Sequence, residues 1–234
     1  MGKVLIDGDI VAYRAAFSTQ QMRSADTRNK VDTLIESILD NTVHFPELDV
    51  DYSVYLTGKT NYRHDIAKTL PYKGNRRHVE KPRHLQSARD YMQSKYKAII
   101  SEGEEADDLI SKEAARLDYK ACVASIDKDM LQLPCWHFNF VRGDYVKVEP
   151  FGGIKFFYTQ ILTGDTADNI AGLWKVGPVK AKKILDDAET EEDLWDCVVK
   201  AYDGNEDRVI ENARLLWLRR EEEEIWQPPR VRSD

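Results

Sequence analysis

Short apolar runs along this chain end on acids. Val4-Leu5-Ile6 leads into Asp7, and Ala121 to Ile126 leads into Asp127. Such runs, bounded by turn-forming residues, predict buried strands. Ser53 to Leu56 predicts another. Trp136–Phe140 and Tyr145–Val148, split by Arg142-Gly143-Asp144, predict a hairpin or two short strands. Elsewhere the apolar period lengthens to that of a helix. It does so over Ile10–Phe17, over Val31–Val43 (Leu34, Ile35, Ile38, Leu39) and over Glu104–Leu117 (Ala106, Leu109, Ile110, Ala114, Leu117). Residues 18–30 are polar and read as a loop. After Gly152-Gly153 the pattern is helical: Lys155–Leu162, Val179–Leu185, Glu192–Tyr202 and Arg208–Trp226, with Glu221–Glu224 as a solvated helix face. Strands alternating with helices over the first two-thirds predict an α/β domain with a mostly parallel sheet. Ligands of such sheets bind beyond the carboxyl ends of the strands, which is where Asp7 and Asp127 fall.

Eight carboxylates fall in four groups: Asp7; Glu105, Asp107 and Asp108; Asp127 and Asp129; Asp165 and Asp168. Singly, each group has an ordinary explanation. Asp7-Gly8-Asp9 is turn chemistry. Acids opening a helix at 105–108 favour its dipole. Asp127-Lys128-Asp129 fits a solvated turn, and Asp165 and Asp168, three apart, fit a helix start. Gathered in one place, however, these charges could not all stay ionised without cations. An oxygen-only set suits Mg²⁺ or Mn²⁺, and its usual use is phosphoryl chemistry on nucleic acid.

The net charge of -7 speaks against a nucleic-acid partner, but its distribution reverses that. Without the eight carboxylates the remainder is at +1. The window Lys59–Lys97 holds eleven Lys or Arg, among them Arg63, Lys73, Arg76 and Arg77, against three acids, with four tyrosines interleaved. Such a stretch suits a phosphate backbone. A glycine-bearing hairpin at 172–181, with Gly177, Lys175, Lys180 and Lys182, offers backbone N–H groups and charge to a phosphate without reading bases. Three dispersed cysteines make neither a zinc knuckle nor a disulfide framework and suit a reducing cytoplasm. No apolar stretch reaches the length of a membrane span. Ser125 lacks an evident His–Asp partner, which disfavours a serine hydrolase.

The ordered set LIDGD, AYR, YKGNR, EADD, SIDKD and TGDTADNIAGLWKVGPVKAKKIL resembles the flap endonuclease / 5′-nuclease superfamily, and within it the phage-encoded 5′→3′ exonucleases, over roughly residues 3–186. The resemblance implies a PIN-like α/β core over 1–152 with a basic helical arch at about 59–97. It implies a helical region over 153–234 with a helix–three-turn–helix element at about 165–185. Two Mg²⁺ (or Mn²⁺) ions are implied, the first served mainly by Asp7, Glu105, Asp107 and Asp108, the second mainly by Asp127, Asp129, Asp165 and Asp168. K⁺ is a further expectation at 172–181. Lys73 matches an arch lysine that polarises the scissile phosphate, and Tyr13 an aromatic that stacks on a terminal base. The implied protein is a monomeric, cytoplasmic two-metal nuclease acting on DNA with 5′ ends, flaps or nicks, or on RNA–DNA hybrids, in phage replication or recombination. A primer-removing ribonuclease H-type or PIN-type ribonuclease would share the same acids. A non-catalytic DNA-binding protein would show gaps among them. One departure stands out: Thr57 occupies a position where many members carry an Asp. That predicts a looser first metal, for which Asp9 is a candidate replacement ligand.

Overall fold

The computed structural model describes residues 2–42, 48–76 and 79–229, the side chains of 48–50 excepted. The chain begins β1 (Gly2–Asp7), α1 (Gly8–Ser18), α2 (Ser24–Thr42), β2 (Leu48–Leu56), α3 (Arg63–Ile66), α4 (Leu85–Tyr96) and β3 (Ile99–Ile100). It continues α5 (Ala106–Arg116), β4 (Ala121–Ala124), β5 (Trp136–Asn139), β6 (Asp144–Lys147) and α6 (Pro150–Thr163). It closes with β7 (Gly164–Asp165), β8 (Ile170–Ala171), α7 (Pro178–Ile184), α8 (Glu191–Ala201) and α9 (Glu206–Leu216). Two compact units result: Met1–Asn61 with Glu80–Val148 and Arg220–Glu222, and Tyr62–Val79 with Glu149–Arg219 and Glu223–Asp234.

The first unit is α/β. Among the described residues its sheet has the order β3-β2-β1-β4-β5-β6. All pairs are parallel except the β5–β6 hairpin. β1 is central and almost wholly buried, which explains its unbroken apolar run. Helices α1, α2 and α4 bury Val11, Ala15, Val31, Ile35, Ala88 and Met92 with the strand residues Val4, Ile6, Val54 and Phe138. The second unit is mainly helical. Its core joins Phe157, Tyr158 and Ile161 of α6 to Leu194, Trp195 and Val198 of α8 and Val209, Ala213 and Leu216 of α9.

Three expectations need correction. Residues 24–30, read as loop, are the first two turns of α2. Thr27 faces inward there and shares a 2.6 Å hydroxyl contact with Thr19, an internal polar contact that an apolar period does not register. The helix expected to reach Trp226 stops at Leu216, and the Glu221–Glu224 run is not helical. The continuous division at 152 also differs, because Tyr62–Val79 belongs to the second unit and the rest of the basic segment to the first. No helix among the described residues is long and apolar enough to cross a membrane.

Candidate active site

In the first unit, Asp7 ends β1. Gly8 follows because the backbone turns against β2: a Cβ there would lie 2.5 Å from the Tyr55 carbonyl oxygen. One Asp7 oxygen accepts the Ile10 N–H at 3.1 Å, capping α1. The other accepts the Ser125 hydroxyl at 2.7 Å. β1 and β4 run in parallel register, Ile6 beside Ala124, so Ser125 falls next to Asp7. The same Ser125 oxygen accepts the Asp127 N–H at 3.0 Å and so links the two strand ends. Burial pushes the Asp7 carboxyl up to about 7 against the lowering bonds from Ser125 and Ile10, and Asp9 and Asp127 add repulsion. Asp127 accepts the Asp129 N–H at 2.9 Å, and Asp129 pairs with Lys128 at 2.8 Å.

The other acids of this unit open α5. Asp108 is buried and accepts the Glu105 N–H at 3.1 Å, closing the helix start from within, while Asp107 is half-buried. The Thr57 hydroxyl accepts the Ala106 N–H at 3.0 Å. Thr57 therefore anchors the helix that carries Glu105, Asp107 and Asp108. Asp9 does not stand ready as a replacement ligand. Its carboxylate accepts the Thr57 N–H at 2.8 Å and pairs with Arg89, which also donates to the Thr57 carbonyl. On α1, Tyr13 is exposed and stacks on Phe17, with ring centroids 6.2 Å apart and planes within 9°.

In the second unit, Asp165 and Asp168 lie on the β7–β8 hairpin, not at a helix start. Asp165 accepts the N–H groups of Ala167 (2.7 Å) and Asp168 (3.2 Å), which bends the chain as an Asx turn does. The Tyr72–Arg76 segment wraps this hairpin. Lys73 N–H donates to the Asp168 carbonyl at 2.9 Å, Asn75 to Thr166 and Arg76 to Ala167. The Asp168 carboxylate accepts the Tyr72 hydroxyl at 2.7 Å and pairs with Arg76 at 2.8 Å and Lys73 at 3.7 Å. Arg77 lies outside the described residues.

Arg63 corrects the sequence reading. It is 2% exposed and donates to the carbonyls of Leu215 (2.9 Å) and Trp217 (2.6 Å). It caps α9 and does not face a phosphate. The 172–181 hairpin leaves Lys175, Gly177, Lys180 and Lys182 exposed. Gly172 is required by packing, since a Cβ would meet the Thr163 backbone at 2.2 Å, whereas a Cβ at Gly177 meets nothing within 4 Å. Phe17, Ser125, Tyr72 and Asn75 escaped the sequence reading. Phe17 could have been found, four residues after Tyr13 on a helix.

The donor chemistry is carboxylate throughout, which fits a hard divalent ion. The side chains are not arranged as a coordination sphere: among the described residues, no three of His, Cys, Asp or Glu are placed to hold a metal ion. Asp7, Asp108, Asp127, Asp129, Asp165 and Asp168 each accept from protein donors instead.

The family profile "5'-3' exonuclease, N-terminal resolvase-like domain" matches residues 3–151. The chain belongs to the 5′-3′ exonuclease family. It is 26% identical over 194 residues to the 5′-3′ exonuclease of Buchnera aphidicola subsp. Schizaphis graminum (strain Sg), covering 74% of this chain and 66% of that protein. It is 29% identical over 202 residues to DNA polymerase I of Bacillus caldotenax, covering 78% of this chain and 23% of the polymerase. The matched part thus spans less than two thirds of either relative. The fold matches that of the bacteriophage T5 D15 protein co-crystallized with metal ions, with a TM-score of 0.70, 16% identity, and 92% of this chain and 89% of that chain covered. It also matches a pseudo-enzyme–product complex of the T5 D15 flap endonuclease with DNA and metal ions, with a TM-score of 0.68, 16% identity and the same coverage. This α/β architecture with a mostly parallel sheet is therefore the one seen in the T5 D15 protein.

Proposed function

We propose that this 5′-3′ exonuclease family member hydrolyses DNA phosphodiesters at 5′ ends and flaps with the help of divalent metal ions, Mg²⁺ or Mn²⁺. One observation supports this most: Asp7 and Asp127 stand at the carboxyl ends of neighbouring parallel strands, joined through Ser125, in the family-matching segment 3–151. Asp7, Glu105, Asp107, Asp127 and Asp129 are the acids of the first unit that would hold the ions. Asp108, buried under the Glu105 N–H, would act chiefly by fixing the helix that presents Glu105 and Asp107. When bound, the ions would supply Lewis-acid chemistry at the scissile phosphate.

The protein's own groups do the rest. Ser125 orients Asp7 and Asp127 together. Thr57 holds the start of α5. Tyr13, supported by Phe17, offers an exposed aromatic face to a terminal base. Asp168 positions Lys73 and Arg76 as phosphate-binding cations, and Asp165 shapes the turn that carries Asp168. Backbone contacts of this kind recognise structure and ends, not sequence.

The test is a panel of 5′- and 3′-end-labelled duplex, flap and RNA–DNA hybrid substrates, with Mg²⁺ and with EDTA. Cleavage from the 5′ side, lost in EDTA and in Asp107→Ala while DNA binding persists, is expected. Full activity of Asp107→Ala, or cleavage indifferent to EDTA, would refute the reading. Preference for the hybrid arm would assign the protein to the ribonuclease H-type branch.

A further inference from the structure

Arg89 belongs to the basic segment Lys59–Lys97, yet its charge is turned into the protein. It lies on α4, which Ala88 and Met92 anchor in the core of the first unit. Its side chain is 18% accessible. The guanidinium forks. One arm pairs with the Asp9 carboxylate on α1, and the other donates to the Thr57 carbonyl just past β2. The second Asp9 oxygen accepts the Thr57 N–H at 2.8 Å. Both backbone polar groups of Thr57 are thus held, from α1 and from α4.

Two ties run on from there to the start of α5, one on each side of Glu105. The Thr57 hydroxyl accepts the Ala106 N–H at 3.0 Å. The Gly58 N–H donates to the Ser101 hydroxyl at 2.9 Å, which in turn donates to the Glu104 carbonyl at 2.6 Å. Ser101 is buried, and the approach is close enough that a Cβ at Gly58 would lie 2.0 Å from the Ser101 carbonyl oxygen. The backbone flanking Glu105 is therefore fixed by residues 57–58, and those residues by Arg89.

A direct phosphate contact fits Arg89 less well. A cavity of about 770 Å³ opens beside it, and Lys59, Lys81 and Arg83 line that cavity with exposed side chains. Arg89 reaches the same cavity, but its arms are engaged. Withdrawing it toward a phosphate would strip a charge-assisted bond from Asp9 and a donor from the Thr57 carbonyl. We propose that Arg89 is a positioning residue for the nuclease reaction: it fixes residues 57–58 and, through their ties to Glu104 and Ala106, the placement of Glu105. This rests on the nuclease reading above, in which Glu105 is one of the acids that would hold the ions, and adds how that acid is kept in place.

The first measurement needs neither metal nor DNA. Hydrogen exchange of the Ala106 amide is followed by NMR in the full chain in EDTA. Arg89→Ala should speed it about tenfold or more while the amides of β4 keep their wild-type rates. Arg89→Lys, which keeps the charge but cannot fork, should fall between the two. The second measurement is steady-state cleavage of a labelled 5′-flap duplex in Mg²⁺, well below the melting temperature of each variant. Arg89→Ala should lower kcat about ten- to a hundredfold with KM near wild type, and Arg89→Lys should recover part of the loss. Combining Arg89→Ala with Thr57→Val should cost little more than the larger single effect, because both act along one path. Wild-type exchange at Ala106 in Arg89→Ala, or wild-type kcat in both Arg89 variants, would overturn this proposal and leave the nuclease reading standing. A raised KM, with a salt slope of duplex binding lower by about one, would also overturn it and make Arg89 a phosphate ligand. A wild type that cleaves no DNA would overturn the nuclease reading and this proposal with it.

Discussion

Replacing Arg63 tests whether its charge serves the fold or the substrate. The side chain is buried, and its guanidinium gives one N–H to the Leu215 carbonyl at 2.9 Å and another to the Trp217 carbonyl at 2.6 Å. These are carbonyls at the end of α9, where the helix itself provides no partners. A hydrogen bond from a charged donor contributes about 1.5–3 kcal/mol, and a buried acceptor left without one costs about 1–3 kcal/mol. Arg63→Ala removes both bonds and the contact of the guanidinium with the Tyr62 ring, so a loss of about 3–5 kcal/mol is expected. At about 2–4 °C per kcal/mol for a chain of this size, the second unit should melt roughly 6–20 °C lower. Trp217 and Trp226 lie in that unit's core, so thermal melts followed by tryptophan emission report it directly. Arg63→Lys keeps the charge but has no planar fork with which to serve both carbonyls, and should lose about half as much. Below the melting point, DNA binding by Arg63→Lys should keep the wild-type salt slope. Wild-type melting of Arg63→Ala, with weakened DNA binding and a salt slope lower by about one, would refute the capping role and restore Arg63 to the phosphate-binding set.

Asp32 joins α2 to α4 by accepting from the hydroxyls of Tyr91 (2.8 Å) and Tyr96 (2.6 Å) and pairing with Lys95 (2.8 Å). Burial alone would raise its carboxyl, but the bonds from Lys95, Tyr96 and Tyr91 outweigh it and hold the group below the ordinary carboxylate value. Its stabilisation is therefore full above the unfolded value of about 3.9 and lost as pH falls through the lower folded value. The unfolding free energy of Asp32→Asn from urea titrations should fall below wild type by about 1 kcal/mol at pH 7 and converge with it in acid; a gap independent of pH would contradict this. Gly177→Ala should leave the melting temperature unchanged or slightly raised, because its φ of -99° and open surroundings do not demand glycine. Duplex affinity should fall if DNA backbone approaches there, whereas a destabilised Gly177→Ala would mean the glycine serves the fold. Thr57→Val should cost about 1 kcal/mol through the lost acceptor for the Ala106 N–H, and Thr57→Ser should restore it; equal stability of the two variants would show that the hydroxyl holds nothing.

What could be read from the sequence was whatever depended on neighbours in the chain. The run Val4-Leu5-Ile6 is apolar because β1 is buried on both faces, and so the acid after it could be placed at a strand end before any coordinates. The Ala106, Ile110 and Ala114 stripe likewise located α5 and the acids of its first turn. What escaped depended on partners far away along the chain. Nothing between Leu216 and Trp226 breaks a helical period; α9 ends where Arg63, more than 150 residues earlier, takes its carbonyls. The acid pair at 165 and 168 has helical spacing, but the hairpin there is fixed by Tyr72, Lys73, Asn75 and Arg76. The same contacts move the Tyr62–Val79 half of the basic segment into the second unit, which composition alone could not divide.

Thr57, where the resemblance leads one to expect an acid, is held by the local structure in its own way. A carboxylate at this position would add a negative charge beside Asp9, whose oxygens already face the Thr57 backbone N–H and Arg89. The hydroxyl adds none and accepts the Ala106 N–H, an orphan donor of the first turn of α5. Arg89, on α4, then ties the Thr57 carbonyl and the Asp9 carboxylate to the basic segment. The end of β2, the start of α1, the start of α5 and α4 thus meet at one uncharged residue, α5 through its hydroxyl and the others through its backbone. The position is one of support: it fixes the helix from which Glu105 and Asp107 project. It follows that the remaining acids must carry any cation without help from position 57, and that Asp9, committed to Arg89, does not make up the difference.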